Sequence, residues 1–303
     1  MSDSSTEIRA ERVRANGLDF HVNAAGEGDR LALCLHGFPE LGMSWRHQLP
    51  RLASLGYRAW APDLRGYGES DRPKGLAHYA IEELMDDVAG LIDAANPRET
   101  VLIAHDWGAM IAWQFAAHTV RPLDRLVILN GPPPGLPKRL TLAQLRRSAY
   151  VFFFQLPRLP EWVFARRGHA AIEGAFRRAA GRPENLDDVD LRRYREAAAK
   201  PGATTAMIDY YRALLRGGGM RRATTRGFPM IETPTLLIWG AADPVLVPSM
   251  TDDAGEWVKD LTRRFLPGVG HWVQQEAPND VNEILSAWLT DAPVPGDPHW
   301  EPR

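Results

Sequence analysis

Six short apolar runs, Leu31–Leu35, Tyr57–Ala61, Val101–His105, Arg125–Asn130, Thr235–Trp239 and Thr262–Leu266, recur with helical stretches between them. That alternation predicts a mostly parallel central sheet covered by helices, an α/β fold. Near the start, Asn16-Gly17 separates Glu7–Arg14 from Leu18–Asn23 and makes a hairpin turn, which adds antiparallel strands at one edge. After Asn130-Gly-Pro-Pro-Pro-Gly135 the rhythm stops, and it resumes near Phe228-Pro229. The intervening residues read as helices without a strand run. The expected organisation is therefore a core of residues 1–134 and 227–303, with a helical cap of residues 135–226 inserted into it.

The charge distribution follows the same division. Residues 135–226 contain 19 Lys/Arg against 8 Asp/Glu, a net of +11, whereas the whole chain carries only −2. The simplest meaning is a set of solvated arginine-rich helix faces; the alternatives are docking on an acidic core or attraction of an anionic ligand. The near-neutral total gives no reason to expect nucleic acid or a membrane as partner. No apolar stretch approaches the ~20 residues that cross a bilayer. The beginning lacks the basic and apolar segments of a secretory signal, so a cytoplasmic protein is expected. The one cysteine, Cys34, lies inside an apolar run and is read as a small buried side chain. No Cys/His cluster has metal-ligand spacing and no glycine pattern suits a dinucleotide, so neither metal nor cofactor is implied.

The chemistry concentrates at Ala104-His105-Asp106-Trp107-Gly108. An apolar strand precedes this segment and a helical pattern follows it, the context of a nucleophile elbow, where serine is the usual occupant. Asp106 stands in that place. A carboxylate nucleophile becomes an ester, and an ester needs a base to activate water and a partner to orient the base. Both follow in the expected chain order: Asp243 in the turn after strand Thr235–Trp239, and His271 in a glycine-flanked loop beyond the last strand. Asp243 would fix the His271 tautomer and leave the other ring nitrogen for water. The loop His36-Gly37-Phe38-Pro39 follows the Leu31–Leu35 strand, so the Phe38 and Trp107 amides are the expected oxyanion-hole donors. His36 is expected to hydrogen-bond its own loop, and His105 to pack beside the elbow. The segment Asp63-Leu-Arg-Gly-Tyr-Gly68 is expected to form a turn in which Asp63 or Arg65 pairs locally.

Taken together, His36-Gly-Phe-Pro39, Asp63-Leu-Arg-Gly-Tyr-Gly68, His105-Asp-Trp-Gly108, Asp243 in Ala-Asp-Pro-Val-Leu-Val-Pro248, and Gly270-His-Trp272 resemble the α/β-hydrolase-fold epoxide hydrolases, from about Val13 to Leu289. The resemblance implies that the aspartate opens a small apolar epoxide to a vicinal diol, while two cap tyrosines donate hydrogen bonds to the epoxide oxygen. Tyr150, in Tyr150-Val-Phe-Phe-Phe-Gln155, matches the segment of the first, and Tyr211, in Asp209-Tyr-Tyr-Arg212, that of the second. Consecutive helical residues point ~100° apart, so Tyr210 is expected to pack elsewhere. Trp107, Phe38, Phe152, Phe153 and Phe154 are the expected apolar walls.

Two other readings remain open. A haloalkane dehalogenase would share the aspartate, the following tryptophan and the histidine, but Phe38 and the tyrosine pair fit an epoxide better. A non-catalytic ligand-binding protein of the same fold would have no need for the whole relay. Whether the chain forms a homodimer is open.

Overall fold

A computed structural model describes residues 6–133 and 142–299. Among these residues eight strands form one sheet: β1 Arg9–Ala15, β2 Leu18–Ala25, β3 Arg30–Leu35, β4 Arg58–Pro62, β5 Glu99–His105, β6 Arg125–Leu129, β7 Thr235–Gly240 and β8 Leu261–Leu266. Their order across the sheet is β1-β2-β4-β3-β5-β6-β7-β8. The strands from β3 to β8 are parallel, and β1 and β2 are antiparallel additions at one edge, joined through Asn16 and Gly17, both with positive φ. Each expected run thus forms a strand within two residues of its reading.

The apolar runs are continuous because both faces of a parallel sheet are covered. Side chains alternate between the faces: Leu31, Leu33 and Leu35 join one layer, and Ala32 and Cys34 the other. In the same way Leu237 and Trp239 oppose Leu236 and Ile238. The second layer is closed by α1 (Leu49–Ser54), which brings Leu52, and later by the last helix of the chain. The first is closed by α2 (Ile81–Ala95), through Val88 and Leu91, and α3 (Trp107–Ala117), through Ile111. Each such side chain is worth about 1.5–3 kcal/mol when fully removed from water. Burial pushes the Cys34 thiol far up, leaving it inert.

Among the described residues, seven α-helices stand between β6 and β7: α4 Leu142–Arg147, α5 Ala149–Phe153, α6 Leu159–Ala165, α7 Ala170–Ala179, α8 Asp188–Ala199, α9 Ala203–Leu215 and α10 Gly219–Arg226. Among the described residues of this insertion there is no strand. The expected boundary at residues 134/135 lies outside the described residues. Part of the insertion's positive charge meets acids of the core: Arg222 and Arg226 bind Glu82, and Lys200 binds Glu69. In the reverse sense Arg46 of the core reaches Asp190 of α8 at 2.8 Å. Helices α11 (Val273–Glu276) and α12 (Pro278–Leu289) follow β8, and α12 packs Ile284, Leu285 and Trp288 onto the sheet. Among the described residues no helix is long and apolar enough to cross a membrane.

Candidate active site

Strands β5, β7 and β8 end on the same side of the sheet, and the three residues of the expected relay follow them. Asp106 forms the turn between β5 and α3 with φ 49° and ψ −113°. This backbone is costly for a residue with a side chain and is held by tight packing. Gly37 and Gly108 supply the room: a Cβ on Gly37 would stand 2.5 Å from Asp106 Oδ1, and one on Gly108 2.4 Å from the Leu35 carbonyl oxygen. The turn therefore delivers the Asp106 carboxylate against the loop after β3, where the Phe38 amide donates to Oδ1 at 2.7 Å. Oδ2 lies 3.7 Å from His271 Nε2. Trp107 opens α3, so its amide is among those a helix leaves unpaired at its start.

His271 is 2 % exposed, and its Nδ1 bonds Asp243 Oδ2 at 2.8 Å. Asp243 is itself fully engaged. Its Oδ1 accepts from the amides of Val245 and Leu246, at 2.7 and 3.0 Å, and its Oδ2 also accepts from Asn130 Nδ2 at 2.6 Å. Asn130 in turn accepts from the Gly240 amide at 2.8 Å, tying the ends of β6 and β7 together. Burial alone would depress His271, but Asp243 and Asp106 outweigh it and hold the imidazole well above its usual range. Burial would raise Asp106, and His271 chiefly reverses this, so its carboxyl stays below the usual value. The Asp106 carboxylate and the His271 imidazole are therefore poised as charged partners.

A second buried carboxylate lies behind this group. Glu40 accepts from the Gly37 amide and from Nδ1 of His105, at 3.0 and 2.7 Å, and from the amide nitrogens of Gln274 and Gln275, at 2.8 and 2.7 Å. His105 Nε2 meets the His271 carbonyl at 2.9 Å. Both ring nitrogens of His105 thus face acceptors, and the ring braces the His271 loop from beneath. His36 is a neutral brace: its Nε2 accepts from the Leu64 amide at 3.0 Å, so Nδ1 donates to the Gly37 carbonyl. Asp63 shapes its turn locally by accepting from the Glu69 amide at 3.0 Å, and it also accepts from the more distant Gly42 amide at 2.8 Å. Arg65 instead reaches across to Asp87 on α2, an ion pair that sequence neighbours could not reveal.

Above Asp106 opens a cavity of about 470 Å³. Phe38, Phe153, Phe154, Phe164 and Trp272 are among its apolar walls, and Tyr150 and Tyr211 both line it. The tyrosine rings meet edge to face with centroids 5.8 Å apart, and Tyr211 also packs on Phe38 and Phe154. Burial, reinforced by the Asp106 charge, pushes both phenols up, so both are protonated. Arg212 fixes their spacing: its guanidinium donates to the carbonyls of Phe154 and Leu156 beyond α5 and pairs with Glu161 on α6. Tyr210 turns away, and its hydroxyl donates to the Arg65 carbonyl at 2.9 Å.

Two of the expected walls lie elsewhere. Trp107 does not line the cavity but packs edge-on against Tyr211 and Tyr210, with centroids 5.0 and 5.4 Å away. As the first residue of α3 it is rotated from Asp106 by a helical step, so adjacency in sequence is not adjacency in the cavity. Phe152 is 57 % exposed and points out of the protein. The sequence does not point to Asn130, Glu40 or Phe164, and it offers Trp272 only as a neighbour of His271; for Asn130 the available signal is a polar residue ending a strand beside the Asp243 strand. Among the described residues no cluster of His, Cys, Asp and Glu could hold a metal ion.

Comparison with known proteins agrees with this architecture. The α/β-hydrolase fold family model matches residues 33–278. Epoxide hydrolase 4 of Mus musculus is 38% identical over 289 residues, 92% of this chain and 79% of that protein. Epoxide hydrolase A of Mycobacterium tuberculosis is 34% identical, covering 92% of this chain and 96% of its own length. Among solved structures, an epoxide hydrolase of Bacillus megaterium in complex with an inhibitor superposes with a TM-score of 0.83 at 28% identity, over 92% of this chain and 100% of that one. The chain belongs to the α/β-hydrolase fold family and, within it, to the epoxide hydrolases.

Proposed function

We propose that this protein hydrolyses an apolar epoxide to a vicinal diol through a covalent ester on Asp106, with residues 135–226 acting as a cap that completes the site. One observation carries the reading. The Asp106 carboxylate, held by the Phe38 amide and 3.7 Å from His271, shares a single apolar cavity with two protonated tyrosines. Asp106 attacks an epoxide carbon; the C–O bond breaks, and the departing oxygen takes a proton from the Tyr150 and Tyr211 pair. His271, oriented by Asp243, then removes a proton from water as the water adds to the ester carbonyl. The Phe38 and Trp107 amides bear the oxyanion. Collapse expels the second diol oxygen, which takes the proton from His271. The acid proton left on Asp106 returns to the phenols.

Serine in place of Asp106 would give an ether without a carbonyl for water to attack. The chemistry thus accounts for the unusual occupant of the elbow. A single turnover in water enriched in heavy oxygen tests the scheme: the label is expected in the Asp106 carboxylate, and the first diol is expected unlabelled. A labelled first diol would mean direct attack by water. Halide release from haloalkanes without diol from any epoxide would assign the same ester chemistry to a dehalogenase.

A further inference from the structure

One buried carboxylate takes no part in the reaction proposed above or in the bracing by Glu40. Glu276 ends α11 and is fully buried, and among the described residues no cation pairs with it. Every donor to its carboxylate is a backbone amide. Oε1 accepts from Trp272 at 3.0 Å, and Oε2 accepts from Gly270 at 2.9 Å and from Gly181 and Arg182 at 2.8 Å each. The first two amides flank His271. The other two lie just past α7 in the insertion, 95 and 94 residues away along the chain.

A carboxylate that only capped its own helix would stop at the Trp272 amide. Glu276 instead joins two segments whose backbones touch. The His271 amide, between the two loop donors, donates to the Ala179 carbonyl at 2.9 Å, so the three consecutive N–H groups from Gly270 to Trp272 all end on Glu276 or α7. The Trp272 indole donates to the Phe176 carbonyl at 2.8 Å and stacks on the Phe176 ring with centroids 4.3 Å apart. Glycine permits the close approach: a Cβ on Gly181 would stand 2.7 Å from the Gly270 nitrogen. From the other side, His105 bonds the His271 carbonyl. The His271 ring is thus left only its own side-chain torsions, and the bond to Asp243 fixes those.

We propose that Glu276 is a positioning residue for ester hydrolysis: by holding the loop on both sides of His271 against the end of α7, it fixes where Nε2 stands relative to the ester on Asp106. The inference rests on the covalent reading above. Helix α7 also walls the cavity through Ala171, Ala175 and Ala179, so the strut sets the base at a fixed place relative to that wall. Ring opening runs through Asp106, seated by the Phe38 amide, and through tyrosines on α5 and α9, none of which Glu276 touches. Loss of the strut therefore weighs on the second step.

Glu276→Gln keeps the size of the side chain but not its two acceptors. Since both oxygens receive amides, either orientation of the new group sets an NH₂ against an N–H donor. In rapid mixing with an epoxide that the wild type turns over, ester decay is expected to slow by about ten- to a hundredfold, the range for a reacting group displaced by up to ~1 Å. Ester formation should keep its rate, so intact-mass measurement should show the adduct accumulating. Asn185→Ala is the control: its side chain joins the same segments by donating to the Glu276 carbonyl at 2.7 Å, without touching the carboxylate, and neither step should slow. Equal slowing of both steps in Glu276→Gln, or slowing of neither, would overturn the inference. A second arm needs no variant and no epoxide. In native-state hydrogen exchange of the wild type, the Gly181 and Arg182 amides should be protected together with those of Gly270 and Trp272; free exchange of the first pair beside protection of the second would also overturn it. Joint protection of the four amides in a wild type that forms neither adduct nor diol from any epoxide would uphold the strut and reject the covalent reading.

Discussion

The sheet edge and the helical insertion hold their reactive groups in different ways. At the sheet edge, Asp243 accepts from His271, Asn130 and two backbone amides, and the His271 loop is braced by the Glu40–His105 pair. In the insertion, Tyr150 and Tyr211 are placed mainly by aromatic edges and by the Arg212 clamp. A relay that must transfer protons along a fixed line uses directional bonds, whereas two donors that must accept ligands of varied shape need only be kept close and dry. If the proposed chemistry holds, the two regions divide the reaction: the insertion serves ring opening, and the sheet edge serves ester hydrolysis.

The strongest way to break this division is to stop one half alone. In His271→Gln, steady turnover is expected to fall by roughly 10⁴ or more, in the range seen when a hydrolytic base is removed. Ring opening should persist, so the protein should accumulate an adduct equal in mass to the epoxide. Intact-mass measurement after mixing checks this, and an unmodified protein would show that His271 also serves the first step.

The complementary change is the double variant Tyr150→Phe with Tyr211→Phe. Losing one hydrogen-bond donor to a developing oxyanion typically costs about 10²-fold or more, and here both are lost. Adduct formation should be slowed by at least that factor, while an ester preformed in a single-tyrosine variant should hydrolyse at the normal rate. Slowing of both steps equally would erase the contrast between the regions.

Much of the sheet edge was legible in the chain because its rules are local. A strand, a tight turn and a helix start place Asp106, and strand ends place Asp243 and His271, each within a few residues of an apolar run. The supporting groups were hidden because they join distant segments: Asn130 meets Asp243 across 113 residues, and Glu40 meets His105 across 65. In the insertion, the helical pattern was visible but the choice of facing surfaces was not. Phe152, Phe153 and Phe154 look equivalent in sequence, yet the first is exposed and the other two line the cavity.

Smaller effects are expected from the two residues that hold these groups in place. Asn130→Ala removes a donor to Asp243 and the acceptor for the Gly240 amide, and should slow ester hydrolysis about tenfold with ring opening unchanged. Arg212→Met loses the bonds to the Phe154 and Leu156 carbonyls and should slow ring opening by a comparable factor. Rapid-mixing measurement of the two steps separates these outcomes. Both variants should lose about 1–3 kcal/mol of stability for the buried partners left unpaired, so assays belong well below their melting temperatures. Equal slowing of both steps by either variant would reduce its role to general support of the fold.

The finest distinction concerns the charge on His271. In the resting protein Asp243 and Asp106 together outweigh burial and raise its pKa. Esterification removes the Asp106 charge, so the imidazole of the ester should release its proton at a lower pH than in the free protein. Its neutral form, the one able to take a proton from water, then becomes available as the ester forms. The acid limb of the hydrolysis rate should therefore lie below the His271 titration seen by NMR in the resting wild type. Asp106→Asn, which also removes that charge, should shift the NMR titration in the same downward direction, with Asp243 still keeping it above the value that burial alone would set. Coincidence of the kinetic limb with the resting titration would mean that Asp106 does not lose its charge before hydrolysis, and the ester would have to be abandoned.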